Sequence, residues 1–333
     1  MTPMPAPLAE IWRGPFAESL HFGHAVICGA DGEITDCWGD PQAVVLPRSS
    51  AKMIQALPLV TSGAADSRGL SERQLALACA SHQGATIHVE AVQNWLRDLG
   101  LTDTDLRCGP EMTRDRDLAR EMIKNDDTPC QWHNNCSGKH SGFLTLNQHL
   151  GGGPEYVQPD HPVQQACLDS FETVTAQSSP GYGIDGCSAP NFATTMHGMA
   201  RAMSFFATAH DRSDSLSRAA ARLAAAMYAF PEMVAGEGRA CTLLMRAAKE
   251  PVALKTGAEG YFIAILPKRG LGVALKVQDG ATRASECAIA ALLVRMGVVE
   301  AQDPSVVQFL NPDIVNRRGI VTGQIRPAAD LMH

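Results

Sequence analysis

The chain has 333 residues, 45% hydrophobic and 19% charged, a balance that excludes disordered, collagen-like and coiled-coil readings. At about 150 residues per domain it has room for one large two-lobed domain or two ordinary ones. Twenty-eight basic against 35 acidic side chains give a net charge of −7, which lacks the basic footprint of a nucleic-acid binder, so no nucleic-acid partner is expected.

The opening MTPMPAPLAE has neither the basic n-region nor the apolar h-region of a secretory signal. No apolar run approaches the roughly 18 residues of a membrane helix. A cytoplasmic location is therefore expected, with no membrane partner and with most of the 10 cysteines as buried thiols. Residues 24–38, HAVICGADGEITDCW, predict a hairpin turning at Ala30-Asp31-Gly32. Helical patterns follow: SAKMIQALPLVTSG, SERQLALACASH, IHVEAVQNWLRDLG, PVQQACLDSFETVTAQ, ATTMHGMARAMSFFATA and SDSLSRAAARLAAAMYAFP, with Gly63, Gly100 and Pro231 closing three of them. Gly151-Gly152-Gly153 reads as a flexible joint. A second hairpin spans 261–277, where YFIAILP and LGVALKV are apolar enough to be buried on both faces of a sheet. ATRASECAIAALLVRMGVV then predicts a long helix returning to that sheet. Strands near both ends of the chain predict one two-lobed domain: an α/β lobe at about 10–60 plus 250–333, and an inserted, mostly helical lobe at about 61–249.

The sharpest chemical signal is Arg48-Ser49-Ser50-Ala51-Lys52. On a helix, Ser49 and Lys52 share a face, so the amine can take the hydroxyl proton, the S-x-x-K arrangement of penicillin-recognising serine enzymes. The plain reading of Ser49 is a helix N-cap. Lys255-Thr256-Gly257 matches the K-T-G box of the same enzymes, with Gly257 permitting close backbone approach to a substrate; the plain reading of Lys255 is a solvated side chain. The S-D-N box of that fold is absent, and Ser81 in Ala80-Ser81-His82-Gln83-Gly84 is the substitute. Against this stands a helix end closed by Gly84, with the hydroxyl bonded back to its own turn.

Two clusters, Asn134-Asn135-Cys136-Ser137-Gly138-Lys139-His140-Ser141-Gly142 and Gly183-Ile184-Asp185-Gly186-Cys187-Ser188-Ala189-Pro190, interrupt the helical patterns and read as site-forming loops. Cys136, His140 and Cys187 suggest a metal, although no C-x-x-C or H-x-x-x-H spacing supports one.

Together, RSSAK, SHQG, NNCSGKH, GIDGCSAPNF and KTGAEG resemble the Rhizobium etli-type (class 3) L-asparaginases, from about residue 10 to residue 325. The resemblance implies a serine β-lactamase/penicillin-binding-protein-like fold, an antiparallel sheet flanked by helices with an inserted helical lobe. It implies hydrolysis of L-asparagine to L-aspartate and ammonia in a homodimer. Carried over by motif, Ser49 with Lys52 forms one Ser-Lys tandem and Ser81 with Lys255 the other, while Cys136, Lys139 and Cys187 hold one Zn2+ per chain. The resemblance does not rank Ser49 and Ser81 as nucleophile.

A lysine acting as a base at pH 7 must be neutral, and burial or a second cation favours the neutral form. Lys52 and Lys255 meeting in one pocket would serve each other in this way. Ser49 then attacks the side-chain amide, amides near Ser49, Thr256 and Gly257 hold the oxyanion, and Ser81 with Lys255 relays protons. Arg48 for the substrate carboxylate and Asp185 for its ammonium are the binding candidates; the plain readings are a surface arginine and a loop-bonding aspartate. A zinc between two thiolates and an amine suits substrate positioning more than hydroxide generation, and His140 orients that site or caps the loop. The competing readings are another amide hydrolase on this scaffold (glutaminase, β-lactamase or D-peptidase), a non-catalytic ligand receptor, and a zinc hydrolase.

Overall fold

An antiparallel sheet built from both ends of the chain organises the computed structural model, which describes residues 4–332. The first three residues of the Pro-rich start lie outside the described residues. The chain divides into two compact units: one takes residues up to Ser50, Thr194–Thr208 and the chain from Ala240 onward, and the other takes Ala51–Ala193 and Ala209–Arg239.

The large sheet of the first unit has eight strands: β1 (Ala6–Arg13), β2 (Phe16–Cys28), β3 (Ile34–Trp38), β4 (Ala253–Gly257), β5 (Tyr261–Leu266), β6 (Leu271–Val277), β7 (Asp313–Val315) and β8 (Val321–Pro327). Their order is β7-β8-β1-β2-β6-β5-β4, with β3 also paired to β2. Both predicted hairpins are present. The first turns through Gly32 at φ +80°, and the second through Pro267–Arg269 with Gly270 at φ +61°. β5 is buried along its whole length, as a strand covered on both faces must be. The helix Thr282–Arg295 follows and stops before Gly297, at φ +67°. The K-T-G strand β4 ends the sheet.

Sequence reading missed β1, because Pro5 and Pro7 argue against a strand inside a sheet. The structure accommodates Pro7 at an irregularity, where the register with β2 shifts between Pro7 and Ala9. The expected helical insertion at 61–249 also differs from the observed division, since the helix Met196–Ala207 goes with the sheet. Gly272 on β6 is the physical reason: a Cβ there would lie 2.0 Å from the Ser204 nitrogen and 2.4 Å from the Ala200 oxygen. Only glycine lets that helix backbone come so near the strand.

The second unit is mostly helical. The expected 50–63 helix is instead three short pieces, Arg48–Ala51, Lys52–Gln55 and Leu57–Thr61, with Pro58 in the first turn of the last. Glu72–Ala78 begins at Ser71, whose hydroxyl and backbone exchange bonds with Gln74 in a capping box, and Thr86–Asp98, Pro162–Thr175 and Ser215–Ala229 lie where the patterns put them.

One expectation is overturned: Ser137–Leu150 is a helix, so Lys139, His140 and the two glycines beside them are not in a loop. Those glycines serve contact, not flexibility. A Cβ on Gly138 would meet the Leu77 oxygen at 2.5 Å, and one on Gly142 would meet Ala78 at 3.4 Å. Gly151, at φ +66°, ends this helix, and the Gly152 N–H bonds the Asn147 carbonyl at 3.1 Å. The triple glycine is thus a helix stop in place of the expected joint. The second cluster is a small hairpin, Tyr182–Ile184 against Pro190–Phe192, turning through Asp185–Ser188. Among the described residues no helix is long and apolar enough to cross a membrane.

Candidate active site

Within the helical unit Lys52 is 1% exposed. Its Nζ lies 2.5 Å from the Ala80 carbonyl, 2.9 Å from Ser81 Oγ and 3.1 Å from Cys136 Sγ. Three polar groups converge on this one nitrogen, which as an ammonium can donate to all three and as a neutral amine can accept the Ser81 hydroxyl proton. Ser81 sits past the end of the Glu72–Ala78 helix, in a buried irregular stretch through Gly84. Its hydroxyl reaches Lys52 and not its own turn, so the plain reading of Ser81 as a back-bonded helix end does not describe it.

That stretch is pinned on both sides. The Ser81 N–H bonds the Val234 carbonyl at 3.0 Å and the His82 N–H bonds the Asn135 carbonyl at 3.2 Å. His82 Nδ1 accepts the Gly84 N–H at 3.1 Å, which leaves Nε2–H to donate to Ser137 Oγ at 3.0 Å. Ser137 in turn donates to the Trp132 carbonyl. The His82 ring stacks on His88 with centroids 4.7 Å apart.

Cys136 precedes the Ser137–Leu150 helix, Lys139 and His140 lie on its first turn, and Cys187 comes from the small hairpin. Lys139 Nζ stands 3.0 Å from Cys187 Sγ and 5.0 Å over the Phe143 ring. A hydrogen bond from Cys136 holds the Cys187 thiol well below the usual range, and Lys139 and His140 add to this against burial. The same bond, together with burial, pushes Cys136 well above it. Burial opposes the charge on Lys139, yet Cys187, Cys136 and Asp185 outweigh it and raise that amine. These directions favour charge on Cys187 and Lys139 and the neutral form of Cys136, whose thiol donates to Asn135 Oδ1 at 3.0 Å.

Burial pushes His140 down to about 4, so the ring is neutral at pH 7. Tyr156 accepts the Arg107 N–H at 2.8 Å, and its hydroxyl lies 2.8 Å from His140 Nδ1. With that hydroxyl donating to Nδ1, the ring proton sits on Nε2, a buried atom that has no hydrogen-bond partner among the described residues. Asp185 accepts the N–H of Gly186 at 2.7 Å, as a loop-bonding aspartate does, and is close enough to Lys139 to favour its charge.

Two sulfur donors and one amine converge here, a donor set suited to a soft divalent ion such as zinc once Cys136 and Lys139 give up their protons. Among the described residues no group of three or more His, Cys, Asp and Glu side chains has metal-binding geometry.

In the sheet unit, Arg48 has φ +51°, a left-handed conformation for a residue with a Cβ. Ser49 follows in the turn Arg48–Ala51, and Ser50 is fully buried with Oγ donating to the Lys255 carbonyl at 3.0 Å. Lys255 is 1% exposed, which removes the solvated reading, and its amine bonds the Thr256 carbonyl at 2.6 Å. The Thr256 N–H meets Cys241 Sγ at 3.3 Å. A Cβ on Gly257 would lie 2.8 Å from the Pro47 oxygen and 2.9 Å from Ser50 Oγ. The close approach expected of a substrate at Gly257 is made in the structure by the serine turn.

Several supporting residues carried no sequence signal. Glu111 accepts both the backbone and side-chain N–H of Asn135, at 3.1 and 2.7 Å. Burial opposes its charge, but Asn135 and Arg114 hold this carboxyl below its ordinary range. Tyr156 fixes His140 beside Cys187 in the same indirect way, and only contact in three dimensions identifies it.

The profile of the L-asparaginase II family matches residues 9–327. No curated protein matches the sequence. Among solved structures, Mglu in its tris and glutamate form is similar with a TM-score of 0.45 and 14% identity, over 90% of this chain and 64% of that one. Mglu in its glutamate form gives 0.47 and 14%, over 91% and 67%. A Bacteroides dorei protein provisionally named a β-lactamase gives 0.40 and 13%, over 77% and 84%. The chain thus spans just under two thirds of the length of the first of these. Since the family match runs from Ala9 to Pro327, taking in RSSAK, SHQG, NNCSGKH, GIDGCSAPNF and KTGAEG, the chain belongs to the L-asparaginase II family.

Proposed function

We propose that this protein hydrolyses L-asparagine to L-aspartate and ammonia through a Ser/Lys acyl-enzyme. The observation that carries Ser/Lys chemistry, whichever serine attacks, is the buried Lys52 amine 2.9 Å from Ser81 Oγ, in a chain whose family is named for asparaginases. Ser49 loses its proton to Lys52 and attacks the side-chain amide carbon, and the C–N bond breaks as ammonia leaves with a proton returned through Lys52 and Ser81. Water then cleaves the β-aspartyl ester, with Ser81 and Lys255 carrying its proton. Amides around Thr256 and Gly257 stabilise the oxyanion, Arg48 takes the substrate carboxylate, and Asp185 its ammonium. His140 braces the Cys187 side of the binding region.

Cys136, Lys139 and Cys187 would hold Zn2+, which when bound supplies a fixed positive charge for orienting the substrate. A homodimer in the cytoplasm completes the proposal. The contact between Lys52 and Ser81 favours a second reading in which Ser81 attacks and Ser49 relays.

The test is ammonia release from asparagine, glutamine and nitrocefin side by side, followed by mass spectrometry of the acylated peptide. Turnover of asparagine with the adduct on Ser49 is expected. An adduct on Ser81 selects the second reading, and inactivity toward asparagine discards both.

A further inference from the structure

The RSSAK segment has two adjacent serines, and the three-residue spacing to a lysine singles out only Ser49. Ser50 is the more constrained of the two. It is fully buried, its N–H bonds the Pro47 carbonyl at 3.0 Å, and its hydroxyl donates to the Lys255 carbonyl at 3.0 Å. β4 ends the sheet, so the Ser50 hydroxyl supplies Lys255 with a donor that no further strand gives. Two residues along, Gly257 has no Cβ because one would lie 2.9 Å from Ser50 Oγ, 2.8 Å from the Pro47 oxygen and 3.0 Å from Tyr261 Cβ. Turn and strand meet with no slack.

We infer that Ser50 is a positioning residue, which seats the Arg48–Ala51 turn on β4 and thereby fixes where Ser49 presents its hydroxyl. The turn contains Arg48 at φ +51°, a conformation that persists only where the surroundings over-determine it. The backbone bond to Pro47 and the side-chain bond to Lys255 supply that constraint from either end of the turn. Attack on an amide is sensitive to such placement, since a displacement of about 1 Å at the reacting atom costs on the order of 100-fold in rate. Ser50 need not touch the substrate to matter this much. The inference rests on the reading of Ser49 as the nucleophile.

Three variants test it: Ser50→Ala, Ser50→Cys and Ser49→Ala. Each is measured for kcat and KM with asparagine, for folding by circular dichroism, and for the rate at which a fluorophosphonate probe labels Ser49. Ser50→Ala is expected to lower kcat by about 100-fold and slow labelling by a similar factor, with KM changed by less than about threefold. Ser50→Cys keeps the size with a weaker donor, and should fall between Ser50→Ala and the parent. A merely structural serine would lower the melting temperature without moving the labelling rate of the folded fraction. A folded Ser50→Ala protein with parental kcat and labelling overturns the inference while leaving Ser49 as nucleophile. If Ser50→Ala does not fold, parental kcat in folded Ser50→Cys overturns it instead. Parental turnover in Ser49→Ala is a different failure, removing the nucleophile on which the inference rests.

Discussion

Replacing Lys52 by methionine separates chemistry from packing. Met nearly matches the shape of the lysine stem, so this 1% exposed position keeps its apolar contacts. What goes is the amine, with its bonds to the Ala80 carbonyl, Ser81 Oγ and Cys136 Sγ. The carbonyl and the hydroxyl are left buried without that donor, at about 1–3 kcal/mol each. Against this, the variant no longer buries an amine, which is itself unfavourable. The two effects oppose each other, leaving a net loss of about 1–4 kcal/mol that a chain of this size can carry. Activity has no such compensation. Removing the base of a nucleophilic hydrolase should lower kcat by at least about 10³-fold, near 4 kcal/mol in the barrier. The assay is ammonia release from asparagine, read beside far-ultraviolet circular dichroism. A folded Lys52→Met protein turning over within tenfold of the parent would refute the role given to Lys52.

Metal analysis of the purified protein should find about one zinc per chain; zinc-free protein never exposed to chelator would end that proposal. Gly272→Ala places a Cβ 2.0 Å from the Ser204 backbone nitrogen and should cost more than about 3 kcal/mol, seen as insoluble protein or a large fall in melting temperature. Gly138→Ala, with its Cβ 2.5 Å from the Leu77 oxygen, should destabilise by about 1–3 kcal/mol, and a parental melting temperature would show that the helix has room there.

Both central hairpins were legible because their signals are local: runs of apolar residues on either side of a glycine turn. β1 was not, because a proline-bearing strand is recognisable only once its partners on both sides are known. The helix Ser137–Leu150 was hidden for a related reason. Gly138, Gly142, Ser137 and Ser141 lower helix propensity, and the fold outweighs it by burying that face against Leu77, Leu59 and Ala78. At the site, chemical types and spacings exposed Ser49, Lys52, Ser81, Cys136, His140, Cys187 and Lys255 as candidates, and the family resemblance added Lys139. They did not expose which atoms meet. Spacing directs Lys52 at Ser49, whereas its contacts to Ser81 and Cys136 span 29 and 84 positions of sequence. No periodicity reports on pairs that far apart.

Those contacts join two groups that sequence treats separately. Lys52 touches Cys136 at 3.1 Å, Cys136 favours charge on Cys187, and Lys139 stands 3.0 Å from Cys187. Cys136 thus has two duties, as a candidate metal donor and as a neighbour of the candidate base. Cys187 has only the first among its named contacts. Cys136→Ala and Cys187→Ala should therefore both lose zinc, yet differ in turnover. Cys187→Ala leaves the Lys52 amine with Ala80, Ser81 and Cys136, so its loss should appear chiefly in KM, as weaker orientation of the substrate. Cys136→Ala also removes one of the three acceptors that aim the amine, and kcat should fall further, by about 10-fold. Measuring kcat and KM for both variants, each with its zinc content, separates the two duties. Equal kcat in two zinc-free, folded variants would show that the thiol beside Lys52 does not help to aim it, and that Cys136 acts only through the metal.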